Sequence, residues 1–142
     1  MIKNLLLTIL LTSTIFATNS NIQNKELSTK DMKKQAKYIV DLAAKELSKT
    51  LPQTIDKYTK LITIKADDIT LVYIYEINTA PKSDSTVQKE DHSRMQEAVT
   101  IGVCRNSVRF LDAGVSIRYI YNSSNSKKEL FQFNIKQENC VK

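Results

Sequence analysis

The spacing of apolar residues predicts a long amphipathic helix after the first 27 residues of the chain. Between residues 28 and 52 these apolar positions recur every three or four residues, which places them on one helical face. They are Met32, Ala36, Ile39, Val40, Ala43 and Leu47. Ser28 is a favourable N-cap, and Pro52 fits a chain that has already left the helix. We predict a helix over residues 29–49 that packs on the protein's own sheet, although such a stripe also suits a membrane surface or a partner helix.

Two β-rich runs follow the helix and flank the short polar sequence KADD, which predicts an antiparallel hairpin with strands near residues 58–65 and 69–78. In the second run Tyr73 and Tyr75 share one face, and Val72 and Ile74 share the other. Because both faces are largely apolar at mid-strand, we expect a central strand that is covered, at least in part, on both sides.

Helical spacing returns at about residue 86 and continues to Cys104, through Met95, Val99 and Val103. A short turn is expected at residues 106–111, and Gly114 directly precedes the next strand, where it allows a backbone conformation that other residues resist. The sequences GVSIRYIYN and ELFQFNIKQ then predict a second hairpin.

The order of elements is therefore α-β-β-α-β-β. This order predicts an α+β domain in which a four-stranded antiparallel sheet packs with two helices. In the third strand Tyr119 and Tyr121 fall on one face and Arg118 on the other.

The first 20 residues, MIKNLLLTILLTSTIFATNS, have the layout of a secretory signal peptide, with one basic residue, a short apolar run and a small residue for cleavage. We place cleavage after Ala17, which divides the chain into a signal peptide (1–17), a polar, flexible lead-in (18–27) and a single domain (28–142). An uncleaved anchor is the alternative. The chain after cleavage contains no apolar run of the roughly 20 residues that a membrane-spanning helix needs.

Export determines how the two cysteines are interpreted. Cys104 and Cys140 are an even pair in an oxidising compartment, so we predict a disulfide between them. This disulfide would connect the end of the second helix to the chain after the last strand.

The formal charge of +6 comes from lysines that are spread along the chain rather than gathered into a dense stripe. A nucleic-acid module more often shows such a stripe, or stacking aromatic residues between basic ones. We therefore expect no nucleic-acid partner.

Residues for catalysis or metal binding are scarce. A Cys–His nucleophile pair would need His92 and Cys104, but on one helix they lie about 18 Å apart along the axis. One histidine and two oxidised cysteines cannot supply the three or four ligands of a zinc site, and with two glycines the chain has no glycine-rich phosphate loop. We expect no enzymatic activity, no cofactor and no metal.

These observations predict a small exported binding protein, periplasmic or alternatively extracellular, that serves as an accessory to an envelope or secretion assembly. A secreted or periplasmic inhibitor or immunity-type protein is the second hypothesis, and an enzyme with an unrecognised site the third. The candidate protein-binding surface is formed by Tyr73, Tyr75, Arg118, Tyr119 and Tyr121. Which sheet face meets solvent, and the oligomeric state, remain open from the sequence.

Overall fold

A computed structural model of the chain describes residues 27–140. The predicted signal peptide and residues 18–26 of the predicted lead-in lie outside the described residues. The elements, in chain order, are α1 (Thr29–Leu47), β1 (Gln53–Thr54), β2 (Thr59–Asp67), β3 (Thr70–Ile77), α2 (Asp84–Asn106), α3 (Val108–Asp112), β4 (Ser116–Ser123) and β5 (Glu129–Ile135). Single 3-10 turns follow α1 at Ser48–Thr50 and β5 at Gln137–Asn139.

The strands form one five-stranded sheet in the order β1-β2-β3-β4-β5. Helix α1 packs on β2 and β3, and helix α2 packs on β5 and β4. Both helices bury their apolar residues in one core, in which Val40 of α1 and Val103 of α2 are joined by Leu71 of β3 and Ile117 of β4. The two helices therefore lie on the same face of the sheet.

The α+β class was predicted correctly, but the four-stranded antiparallel sheet was wrong in two respects. The short strand β1 adds a fifth strand beside β2, and β3 pairs with β4 in parallel. The parallel pairing has a physical reason, because α2 connects the two strands and returns the chain to the end of the sheet at which β3 began. The two predicted hairpins, β2–β3 and β4–β5, are antiparallel as expected.

The predicted helix at 29–49 is confirmed as α1, which ends at Leu47 and continues as a 3-10 turn. Its N-cap is Ser28, whose hydroxyl oxygen accepts a hydrogen bond from the Asp31 backbone N–H at 3.2 Å. Only Ala36, Val40 and Ala44 are buried. Met32 and Leu47 belong to the apolar stripe but are 48% and 39% exposed. The stripe is thus wider than the part of it that the sheet covers.

The second helix is longer than predicted, and a one-turn helix, α3, replaces the expected turn at 106–111. Gly114 follows α3 with a φ of +80°, a left-handed conformation that residues with a Cβ adopt at a cost. The predicted need for glycine before β4 is confirmed.

The sheet face opposite the helices carries a mixed set of side chains, including Ile74, Arg118 and Ile120, each of them half-buried. Within residues 27–140 no helix is both long and apolar enough to cross a membrane.

Candidate functional site

The predicted disulfide is present. Cys104, near the end of α2, is bonded to Cys140 after the last strand, with a Cα–Cα distance of 5.5 Å and a sequence separation of 36 residues. It joins the C-terminal end of α2 to the segment that follows β5.

The disulfide also removes the thiol on which the Cys–His hypothesis depended, since neither cysteine of the chain is free. His92 of α2 is exposed, but its ring lies over the sheet edge, 5.4 Å from the buried Phe133 and 6.0 Å from the buried Phe131. Among the described residues, no three His, Cys, Asp or Glu side chains are grouped as metal ligands would be.

The four predicted tyrosines form one cluster because β3 and β4 are parallel and in register. Tyr73 lies opposite Tyr119, with ring centroids 5.1 Å apart. Tyr75 stacks on Tyr121 at 4.8 Å. Tyr75 and Tyr121 are buried beneath the helices, at 9% and 8% exposure, whereas Tyr73 and Tyr119 are half-buried. The cluster therefore has a closed part in the core and a part that reaches the surface on the helical side.

Burial changes the acid–base behaviour of all four rings. It raises the pKa of Tyr73 to about 12, with a smaller contribution from the neighbouring Tyr119. It also raises the pKa values of Tyr75, Tyr119 and Tyr121. Desolvation disfavours the charged phenolate, so these side chains stay neutral at physiological pH.

Arg118, the fifth predicted surface residue, lies on the opposite face of the sheet. Its Nε donates to Asn134 Oδ1 of β5 at 2.6 Å, and its Nη1 donates to Asp67 Oδ2 of β2 at 2.9 Å. The side chain thus connects β4 to β5 and to β2. To reach β2 it crosses β3, where Val72 is paired with Arg118 in the strand register and is fully buried. The structure brings the four tyrosines together and places Arg118 apart from them.

Helix α1 packs on β2 and β3 and helix α2 on β5 and β4, so the half-buried Tyr73 and Tyr119 at the middle of the sheet lie between the two helices. We infer an interhelical cleft with Tyr73 and Tyr119 as its floor, Ile39 and Ala43 on its α1 side, and Ala98 and Gly102 on its α2 side. Met32 and Gln35 share a cavity with Asp112 and Gly114, which identifies the side of α1 that faces α3 and β4. Ile39 and Ala43 continue this side of α1, and both are half-buried. The part of the α1 stripe that the sheet leaves uncovered therefore faces the cleft.

The α2 side of the cleft is built from small residues. Ala98 and Gly102 line a cavity of about 260 Å³ together with Tyr119 and Tyr121. A Cβ added to Gly102 would meet no atom within 4 Å, so the space beside it is open. The helix backbone is thus accessible here to a bound group.

A second cavity of about 370 Å³ lies where β3 ends and α2 begins. Its apolar lining includes Tyr58, Ile77 and Met95. The two cavities share no lining residue, but Met95 lies three residues before Ala98 on the same side of α2, so the second cavity borders the same side of the helix in its N-terminal half.

The sequence predicted the floor of the cleft but not its sides. Apolar spacing in α1 and α2 predicts helices that pack on the sheet, and it does not indicate that Ile39 and Ala43 also border a gap between the helices. One available signal was Gly102, because a glycine inside a helix costs stability and commonly marks a site where another group approaches closely.

The profile of a family described as a domain of unknown function (DUF8479) matches residues 34–131, more than half of the chain. The chain belongs to this family. The DUF8479 region contains both sides of the cleft and the four clustered tyrosines, but not Cys140. No sequence among the curated proteins matches the chain significantly.

Solved structures share the fold of this DUF8479 protein at low sequence identity. A Pseudomonas aeruginosa protein (PA3611), considered to be secreted, has a TM-score of 0.68 at 12% identity, covering 78% of this chain and 96% of that one. EpsS, the pilotin of the Vibrio vulnificus type 2 secretion system, has a TM-score of 0.66 at 14% identity, covering 80% and 98%. AspS, a type II secretion system pilotin from Vibrio cholerae, has a TM-score of 0.57 at 16% identity, covering 78% and 97%.

Proposed function

We propose that this DUF8479 protein is a non-catalytic accessory of a secretion assembly in the bacterial envelope, and that it binds an amphipathic helix of a partner protein in the interhelical cleft. The partner is a component of the assembly, and binding takes place in the periplasm after export. The shared fold of two pilotins supports this class of function.

The observation that carries the proposal is the matching spacing of cleft residues on the two helices. On α2 the cleft side continues through Asp91, Met95, Ala98 and Gly102, at intervals of four, three and four. On α1 it continues through Met32, Ile39 and Ala43, at intervals of seven and four, which are two helical turns and one. Intervals of three and four are the pattern with which helices pack against one another, and small residues allow a close approach. Two such stripes on either side of a groove are the kind of surface on which an amphipathic helix docks.

The floor of the cleft supports the same conclusion. Tyr73 and Tyr119 offer flat apolar rings with neutral polar tips, a combination that is enriched at protein interfaces. No partner within residues 27–140 covers Ala98, which is exposed although it lies between apolar neighbours.

The test is site-specific photo-crosslinking in the native envelope. A photoreactive amino acid replaces Ala98 in the cleft or, as a control, Gln132, which is exposed on β5. We expect the Ala98 probe to capture one envelope-assembly protein, with the crosslink mapping to an amphipathic helical segment, and the Gln132 probe to capture none of it. Equal capture at both positions would show that the cleft is not the binding site.

Gly102 supplies the matched variants. Gly102→Leu fills the open space in the cleft and, since leucine is a better helix former than glycine, should leave the fold at least as stable. It should abolish the Ala98 crosslink, whereas Gly102→Ala, which adds only a methyl group, should keep it. If the captured protein is instead a single soluble enzyme, the inhibitor hypothesis replaces the assembly hypothesis.

A further inference from the structure

The outer face of α1, directed away from the sheet, carries an unusual combination of side chains. Tyr38 is 68% exposed and Leu42, one turn later, is 48% exposed. With Val40 buried against the sheet, helical geometry points Tyr38 and Leu42 away from the core. Lys30 and Lys34 precede these two residues and Lys45 follows them, so that all five lie at intervals of three or four residues along the same face. We call these five residues the outer face of α1.

The lysines of this face are not neutralised by their neighbours. Within residues 27–140, Lys30, Lys34 and Lys45 form no salt bridge. Two acidic residues lie on this side: Asp41 pairs with Lys37 at 3.4 Å, and the Asp31 carboxylate accepts a hydrogen bond from the Ser28 hydroxyl at 2.6 Å but keeps its charge. The three lysines therefore exceed the remaining negative charge of Asp31, and the face carries net positive charge around two exposed apolar side chains.

We propose that the outer face of α1 docks on an anionic phospholipid surface. Lysines attract the negative headgroups, and their flexible stems let the charged ends stay at headgroup level. A tyrosine and a leucine on the same helical face can enter the boundary between headgroups and acyl chains. A nucleic acid would use the lysines but leave Leu42 without a role.

The attachment is peripheral, because the contact is one helical face and α1 cannot cross the bilayer. Docking in this orientation would put the open sheet face with Arg118 away from the lipid. The interhelical cleft would then open beside the membrane surface.

The test is co-sedimentation of the mature protein with vesicles of phosphatidylethanolamine and phosphatidylglycerol, and with vesicles of phosphatidylcholine alone. We expect binding only to the anionic vesicles, with strong weakening as the salt is raised from about 50 mM to about 500 mM. Binding of similar strength to both vesicle types, or binding that salt does not weaken, would overturn the proposal.

Matched variants separate a local patch from net charge. Replacing Lys30, Lys34 and Lys45 by glutamine should weaken vesicle binding at least tenfold, since each lysine at the surface contributes about fivefold. The control triple, with Lys65, Lys128 and Lys136 replaced by glutamine, makes the same change in net charge at other exposed positions and should retain most of the binding.

Tyr38→Ser leaves the charge unchanged and should weaken binding several-fold. Equal losses in the two lysine triples would show that net charge alone is responsible, which contradicts a docking face. If the outer-face variants bind vesicles normally but lose the protein captured through Ala98, the face belongs to a protein interface and the lipid proposal is wrong.

Discussion

Tyr73 and Tyr119 lie directly opposite each other on the parallel strands β3 and β4, with their ring centroids 5.1 Å apart. Because β3 and β4 form the middle of the sheet and each helix packs towards one side, this pair lies where the helical layer is open. The parallel pairing thus determines the floor of the cleft. With β4 in another register, Tyr119 would not meet Tyr73.

The tyrosine cluster predicts a loss of stability at alkaline pH. The pKa of Tyr73 is raised from 10.0 to about 12 in the folded protein. Above pH 10 the ring ionises more readily in the unfolded chain than in the folded one. The contribution of Tyr73 to the free energy of unfolding is therefore complete below pH 10 and is lost as the pH rises through 12. The pKa values of the other three rings are shifted in the same direction. Urea denaturation measured between pH 9 and pH 12 should show the free energy of unfolding falling over this window, by at most about 1.4 kcal/mol per pH unit for each tyrosine.

Lysines also titrate in this range, so Tyr73→Phe serves as the control. Phenylalanine keeps the ring in the cleft floor and removes the ionisable hydroxyl. The free energy of unfolding of this variant should fall less steeply with pH than that of the native protein. Identical slopes would show that Tyr73 does not contribute to the pH dependence.

The two glycines of the chain predict opposite effects of the same substitution. Gly102→Ala should raise the free energy of unfolding by about 0.5–1 kcal/mol, because the position is inside a helix and the added methyl group meets nothing. Gly114→Ala should lower it by about 1–2 kcal/mol, because a φ of +80° disfavours a Cβ even in open space. Chemical denaturation of both variants tests the pair, and effects of the same sign would contradict the backbone assignments.

The sequence determined local elements well and their long-range arrangement less well. Helix α1 with its Ser28 cap, both hairpins, the disulfide and the need for Gly114 all depend on residues close in sequence, or on the even number of cysteines. The parallel β3–β4 pair depends instead on where α2 returns the chain, and short strands such as β1 carry little sequence signal.

The cleft was harder to predict for the same reason. Its sides come from helices that are distant in sequence, represented by Ile39 and Gly102, and the two helices border one gap only because both pack on the same sheet face. Apolar spacing identifies the residues that avoid water, but it does not distinguish a side chain buried in the core from one that faces a gap between helices. Ile39 is half-buried and packs against the core at the margin of this gap, and apolar spacing alone does not indicate such an intermediate position.

The disulfide predicts a measurable contribution to stability. A loop of 36 residues closed by Cys104–Cys140 restricts the unfolded chain by about 3–4 kcal/mol in the entropic treatment. The double variant with both cysteines replaced by serine should therefore unfold at a clearly lower urea concentration than the native protein. Adding a reductant should shift the native protein in the same direction and leave the variant unchanged. If the reductant also destabilised the variant, its effect on the native protein could not be attributed to loss of the disulfide.

The contacts of Arg118 should stabilise the fold without affecting partner binding. Arg118→Ala removes the hydrogen bonds to Asn134 and Asp67 and uncovers Val72, so the free energy of unfolding should fall by about 1 kcal/mol. Arg118→Lys should recover only part of this loss, because a single ammonium group on a flexible stem reproduces the paired contacts poorly. Crosslinking through Ala98 should be unaffected in both variants, since Arg118 lies on the sheet face opposite the cleft. Loss of that crosslink in a variant that is still folded would place the partner on the Arg118 face.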